Sequence, residues 1–281
     1  MITRRLFLAG LGTLVASSAA RAQAVSGDDA PLRFGRFEHE GSVWYGFLGA
    51  GGIQELDRNF LDHDVRMTGR AFQPQEVKLL APVVPSKVIG IAANYKSNEG
   101  EKPPEPKFFA KLPSAVIGPD EEIVPPPGSS SLHYEGEMVV VIGARASKVS
   151  EAEAPHHIMG VTAGNDVTER GYPFHPFDVL RAKGSDTMAP LGPWIVPGLA
   201  YDQLKLRTRL NGEVVQESST ADMVHDVARI VSAVSQYITL EPGDLIYTGT
   251  PGITKAMKPG DVVEVELEGV GVLKNKVAGG Q

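Results

Sequence analysis

From Met138 the chain runs Met138-Val139-Val140-Val141-Ile142-Gly143 without a polar residue, and that β-branched stretch predicts a strand buried on both faces. Residues 161–167 predict a second one. Ahead of them, residues 33–37, 43–48 and 53–56 are short apolar segments punctuated by Gly41, Gly49, Gly51 and Gly52, the pattern of a small β meander. Residues 77–80, 88–92 and 108–111 read as further strands around Pro82 and Pro85. Residues 204–210 alternate strictly and meet Asn211-Gly212, a strong hairpin signal. Strands over 245–247, 262–267 and 272–277, with a turn at Pro259-Gly260 and a bend between Gly269 and Gly271, close a β-rich body. Helical periodicity is scarcer. Over 222–236 it puts Met223, Val227, Ile230, Val231 and Val234 on one side behind Thr220 as cap. Ser150 and Glu153 frame a capping box for a helix over 151–158, whose end carries His156 and His157 as structural residues. Residues 57–73 are polar with scattered apolar positions and suit a short helix. The loop over 94–107 is charged and proline-bearing, so it reads as mobile more than packed.

A chain of 281 residues with 42% hydrophobic content buries a substantial core, read here as one large domain with a small appendage. The formal charge of −7 and the pI near 5.5 argue against nucleic acid or an anionic membrane as partner, since both need basic patches. The first residues read differently. Arg4 and Arg5 precede Leu6-Phe7-Leu8, an apolar stretch runs to Ala20, and Ala22-Gln23-Ala24 offers a small-residue cleavage site. Residues 1–24 therefore read as a twin-arginine signal peptide, with a periplasmic or secreted mature protein and no stable membrane association after cleavage. Cleavage removes Arg4, Arg5 and Arg21 and no acid, so the mature chain is more acidic still. There is no cysteine, so stability rests on packing and subunit association, not on disulfides.

Candidate chemistry sits at the mouth of the apolar strand. In His133-Tyr134-Glu135-Gly136-Glu137, the two glutamates share a strand face with one glycine between them. Repulsion and desolvation oppose two close anions at the edge of a core unless something neutralises them. The second apolar run ends at Asn165-Asp166. Three acidic oxygens with no thiol nearby suit Mg2+, Mn2+ or Ca2+ better than zinc. Alone, the glutamate pair is also what two solvated carboxylates at a strand's exit look like. The surrounding motifs change that.

Asn94-Tyr95, Pro106-Lys107-Phe108-Phe109-Ala110-Lys111, Tyr134-Glu135-Gly136-Glu137, Asn165-Asp166-Val167, Lys183-Gly184-Ser185-Asp186-Thr187, Pro190-Leu191-Gly192-Pro193-Trp194, Asn211-Gly212-Glu213, Pro242-Gly243-Asp244 and Thr248-Gly249-Thr250-Pro251 follow one another in order over residues 85–278. In this the chain resembles the fumarylacetoacetate hydrolase family. The resemblance implies an α+β, β-rich fold, a mixed β-roll over 83–281 with a small N-terminal β domain over 25–82. It also implies a divalent cation, Mg2+ or Mn2+ or Ca2+, on Glu135, Glu137 and Asp166, and usually a homodimer. Chemistry in the family acts on small 2-oxo or β-diketo acids through a metal-stabilised enolate. C–C hydrolysis is the reading the family name gives, and decarboxylation or keto–enol isomerisation is the alternative. A third reading is a metal-holding periplasmic binding protein with little turnover.

The resemblance puts Lys183 beside the metal, in a loop, where it would stabilise an enolate oxygen. It implies substrate contacts from Arg170, Thr250, Tyr95 and Lys111. A salt bridge to an acidic ligand is the competing use of Arg170, and a surface position the competing reading of Lys111. Two positions depart from the family pattern. Asn98 stands where many members carry a histidine that activates water, and an amide is no general base. Glu99 or Glu101 could stand in. Pro173 stands where a glutamine is common, and His175 has a minor claim as a substitute base.

Overall fold

The computed structural model describes residues 31–49, 51–172 and 178–279, so the signal read over 1–24 and the positions Pro173 and His175 lie outside the described residues. The aromatic and β-branched segments at the start of that span pair as a meander. β1 (Arg33–His39), β2 (Ser42–Gly49), β3 (Gly52–Leu56) and β4 (Met67–Phe72) run antiparallel in sequence. The helix expected over 57–73 does not form. Asp57 and Arg66 close a loop instead, with the Asp57 N–H donating to the Arg66 carbonyl and the Arg66 N–H to Asp57 Oδ1, both at 2.9 Å. The polar residues there serve a turn, which returns the chain as β4.

Further on come β5 (Lys78–Leu80), β6 (Val88–Ala92), β7 (Lys107–Lys111), β8 (Val116–Ile117), β9 (Glu122–Ile123) and β10 (Leu132–His133). The long apolar run becomes β11 (Gly136–Ile142), and β12 (Ile158–Asn165) pairs antiparallel with it. β13 (Thr168–Glu169), α1 (Val179–Lys183), β14 (Ala189–Val196), β15 (Lys205–Leu210), β16 (Glu213–Ser219), α2 (Val227–Ser235), β17 (Leu245–Tyr247), β18 (Val262–Leu267) and β19 (Gly271–Val277) complete the order. One sheet runs β4-β3-β2-β1-β14-β12-β11-β17-β6-β7, with β5 joined to β1 and β8 to β14. A second runs β16-β15-β18-β19-β9.

β11 lies inside the first sheet and all seven of its residues are buried. Met138, Val140 and Ile142 face one core, with α2 and the β15 and β18 side chains Leu206 and Val265. Val139 and Val141 face another, with Phe34, Tyr134, Tyr247 and Val263. A strand sandwiched between two cores needs no polar face, which accounts for the unbroken run.

The helical expectations fare worse. Over 151–158 the Ser150–Glu153 box forms, the Ser150 N–H donating to Glu153 Oε2 at 2.9 Å, but it closes only a 3-10 turn, Ala154–His157. The Gly143 N–H donates to the His157 carbonyl and β12 starts at Ile158, so no room for a helix remains. α2 starts at Val227, not 222, with Asp226 Oδ1 accepting from the Arg229 N–H. Thr220 lies in a preceding 3-10 turn that Ser219 caps. Between them, Met223 bridges to Tyr95 and the Val224 N–H donates to the Asn94 carbonyl, which holds the chain extended. Among the described residues there are two α-helices, and none is long and apolar enough to cross a membrane.

Candidate active site and metal centre

The start of β11 and the end of β12 meet because the strands are antiparallel, with Gly136 opposite Asn165 and Glu137 opposite Gly164. Glu135 stands just before the strand and Asp166 just after its neighbour. Their backbones lock together: the Asp166 N–H donates to the Glu135 carbonyl and the Glu135 N–H to Asn165 Oδ1, each at 2.8 Å. Glu135, Glu137 and Asp166 are all buried, and their ligand oxygens lie within 4.8 Å of one another.

Two glycines make this possible. A Cβ at Gly136 would run into Thr208 Oγ1 on β15, so only glycine lets the second sheet lie against the peptide between the two glutamates. At Gly164 a Cβ would meet Val139 and the Tyr247 ring. Gly136→Ala is expected to cost about 1–3 kcal/mol, the usual penalty of forcing volume into a packed interior. Denaturant unfolding reads it directly; an unchanged midpoint would mean that β15 can yield there.

Cations surround the acids. Asp166 Oδ1 accepts from Lys111 Nζ at 2.5 Å and Oδ2 from Lys183 Nζ at 2.6 Å. Glu135 Oε2 accepts from Lys183 Nζ at 3.0 Å and Oε1 from Arg170 Nη2 at 2.5 Å. Lys183 gives its third hydrogen to Thr168 Oγ1 at 2.8 Å and stands 4.9 Å from the centre of the Phe109 ring. Burial works against the charge on Lys183, but Asp166 and Glu135 outweigh it and hold the ammonium above the ordinary lysine range. Burial likewise opposes the charge on Asp166, and Lys111 with Lys183 holds it below the usual carboxylate range.

Glu137 differs. Its Oε2 accepts the Gly249 N–H at 2.7 Å, and among the described residues it has no ion pair. Burial pushes its carboxyl well above the usual range, and Asp166 and Glu135 push the same way. An all-carboxylate donor set, buried, with one member lacking a cation, fits a hard divalent ion.

The expected site residues fall into three groups. Glu135, Glu137, Asp166 and Lys183 come together, with Arg170 on Glu135 and its side chain half exposed. Lys183 closes the one-turn helix α1 instead of lying in a loop. Lys111 is buried, pulled below the ordinary lysine range by burial against the opposing pull of Asp166. Its Nζ donates to Asp166 and to the Lys183 carbonyl, which rules out the surface position that was its competing reading. The Thr250 hydroxyl donates to the Gly136 carbonyl and accepts from Gln216, both at 2.9 Å. Tyr95 is fully buried with no partner on its hydroxyl, which burial and then Glu137 hold above the tyrosine range. Glu99 and Glu101 are exposed, with no hydrogen bond or ion pair to the acids.

The 94–107 loop is fastened, against the expectation of a loose connection. Asn98 Oδ1 accepts from the Tyr95 N–H at 2.8 Å and its Nδ2 donates to the Thr250 carbonyl at 3.0 Å. The Gly252 N–H donates to Ser97 Oγ, and the His225 ring meets the Pro103 carbonyl. Sequence reasoning passed over Gln216. Its Oε1 accepts from the Gly136 N–H at 3.2 Å and its Nε2 donates to the Pro251 carbonyl at 2.7 Å, which pins the second sheet to the acidic strand. Nothing local in the sequence marks Gln216, whose burial comes from the packing of the second sheet against Gly136 and Pro251.

Known proteins share this arrangement of chain. The family described as fumarylacetoacetate (FAA) hydrolase C-terminal matches residues 87–278, and one described as Rv2993c-like, N-terminal, matches 32–82. Protein Rv2993c of Mycobacterium tuberculosis is 43% identical over 217 residues, covering 75% of this chain and 82% of that one. The mitochondrial oxaloacetate tautomerase FAHD2A of Bos taurus is 39% identical over 219 residues, covering 72% and 70%. A 5-carboxymethyl-2-hydroxymuconate delta-isomerase from Mycobacterium smegmatis superposes with a TM-score of 0.82 at 38% identity, over 88% of this chain and 99% of that structure.

Proposed function

Because the chain belongs to the fumarylacetoacetate hydrolase family, a family of enzymes, we propose that it enolises small 2-oxo acids as a tautomerase or isomerase, with a divalent cation held by Glu135, Glu137 and Asp166. One observation carries the choice among the family's reactions. C–C hydrolysis needs an activated water, and the residue at the usual base position, Asn98, is an amide with both its polar atoms engaged in fastening the loop. Enolisation needs a place for negative charge on oxygen, and that place is well supplied.

Lys183 Nζ lies between two of the acids, held protonated, and its positive charge would favour an enolate oxygen brought beside it. The half-exposed Arg170 guanidinium offers a planar pair of donors to a substrate carboxylate. The Phe109 ring, its centre 4.9 Å from Lys183 Nζ, gives the site an apolar wall beside its buried acids. A hard divalent cation bound by the acids supplies Lewis-acid polarisation of a 2-oxo carbonyl.

The test is a panel assayed with Mg2+ or Mn2+: enol–keto conversion of oxaloacetate followed by ultraviolet absorbance, its decarboxylation, and hydrolysis of acylpyruvates. Chelator-sensitive enol–keto conversion without hydrolysis is the expected result. Hydrolysis as the fastest reaction, or no turnover with either ion, would overturn the reading.

Loading the ion is expected to release protons, because burial and the neighbouring acids raise the Glu137 carboxyl above its usual range and a protonated carboxyl must ionise to become a ligand. Affinity then rises with pH through the raised range of that carboxyl. Calorimetry in buffers of different ionisation enthalpy measures the release; a heat that does not vary with buffer would contradict it.

A further inference from the structure

Three carboxylates of the site face three side-chain cations, Lys111, Lys183 and Arg170, all within ion-pair distance of at least one acid. With Glu137 ionised, the charges of these six side chains cancel. A divalent ion added to that set leaves two positive charges unbalanced in a largely buried place, where such an imbalance is costly. A ligand with two negative charges removes it, and one with a single negative charge removes half.

We infer that the three fixed cations make the divalent ion and a dianionic ligand bind as a coupled pair, and that Lys111 is the residue that sets this charge. The inference rests on the metal-binding reading above and goes beyond it: it concerns how loading is regulated. Lys111 is suited to the part because it does not face solvent. Its side chain has no exposed surface, its Nζ stands 2.5 Å from Asp166 Oδ1, and its second hydrogen bond goes to the Lys183 carbonyl. Lys183 and Arg170 are positioned to touch a ligand, whereas Lys111 acts on the ion only through Asp166. It is a positioning and charge-balancing residue, and its effect on the ion is repulsive. Metal alone is held loosely and exchanges; metal with a dianion is held firmly. By reciprocity the ion raises the dianion's affinity by the same factor.

The experiment measures Mn2+ affinity of the full protein by calorimetry, alone and with oxalate or pyruvate. Both probes chelate through adjacent oxygens, but oxalate carries two charges and pyruvate one. In the wild type, oxalate is expected to tighten Mn2+ at least about tenfold more than pyruvate does, over and above the difference in the two probes' affinities for free Mn2+ measured in the same buffer. Lys111→Gln keeps a hydrogen-bonding group of similar reach and removes the charge. It is expected to tighten Mn2+ alone about tenfold and to shrink the advantage of oxalate over pyruvate by a similar factor.

Equal enhancement by both probes in the wild type would overturn the inference without any variant, so a Lys111→Gln chain that fails to fold leaves it decidable. Unchanged Mn2+ affinity in a folded Lys111→Gln would also overturn it, because a merely structural lysine predicts lower stability and nothing more. Failure of the wild type to bind Mn2+ with or without oxalate would instead defeat the metal-binding reading itself, and this inference with it.

Discussion

Glu137→Gln is expected to yield a folded protein that no longer holds a divalent ion, with turnover lower by about three orders of magnitude, the several kcal/mol that a Lewis acid supplies. The choice of residue matters more than the choice of effect. Asp166 and Glu135 are each tied to side-chain cations, so neutralising either strands a buried lysine or frees an arginine as well as removing a ligand. Asp166→Asn should therefore destabilise the fold by about 3–5 kcal/mol, the usual result of breaking one side of a buried pair. Glu137 has no such partner among the described residues, and in the absence of an ion burial shifts its carboxyl toward the protonated form. Glutamine copies that protonated form, and its amide oxygen can still accept from the Gly249 N–H. The ion-free variant should thus melt at or above the wild-type temperature. What disappears is the stabilisation by added ion, about 2.7 kcal/mol at a hundredfold excess over Kd. A Glu137→Gln protein whose melting temperature still climbs with Mn2+ would show that the ion sits elsewhere.

How far the sequence reveals this site depends on which forces write themselves locally. The apolar run of β11 could be read because a strand covered on both faces admits no polar residue, and the glutamates at its mouth broke that pattern abruptly. Gly136 carried a second message, since any side chain there would strike Thr208 across the sheets, but Thr208 is 72 residues away and nothing local announces the contact. The burial of Lys111 is illegible for the same reason. A single basic residue at the end of a strand looks like a surface lysine, and only the arrival of Asp166 and the Lys183 carbonyl from later in the chain buries it. The helix starts failed differently: Thr220 and Asp226 are both acceptable caps, and the tie between Met223, Val224 and the 94–95 segment decided which was used. Asn98 shows the limit of reasoning from a missing group. The absent base was legible, while the replacement's work of joining Tyr95 to Thr250 was not, because one partner is a neighbour three residues back and the other lies 152 residues further on.

Lys183→Met separates the ammonium's contribution from that of the acids. The Lys183 side chain directs its three hydrogens at Glu135, Asp166 and Thr168, and 18% of its surface remains open to an entering ligand. Methionine fills the stem's volume beside Phe109 and leaves the backbone carbonyl in place, so Lys111 keeps its second acceptor and the floor of the site stays assembled. Removing a positive charge from among the acids also makes the place more attractive to a cation. The variant is therefore expected to bind Mn2+ at least as tightly as the wild type while kcat for enol–keto conversion falls about a hundred- to a thousandfold, the loss seen when one preorganised donor to a developing oxyanion is removed. Lys183→Arg should not recover that loss, because the planar guanidinium cannot place a compact charge between two carboxylates and a threonine hydroxyl. Parallel titrations of Mn2+ and steady-state kinetics on the two variants decide the matter. Loss of Mn2+ binding in Lys183→Met would make the lysine a structural prop for the acids, and full activity with Mn2+ bound would leave the ion to stabilise the charge unaided.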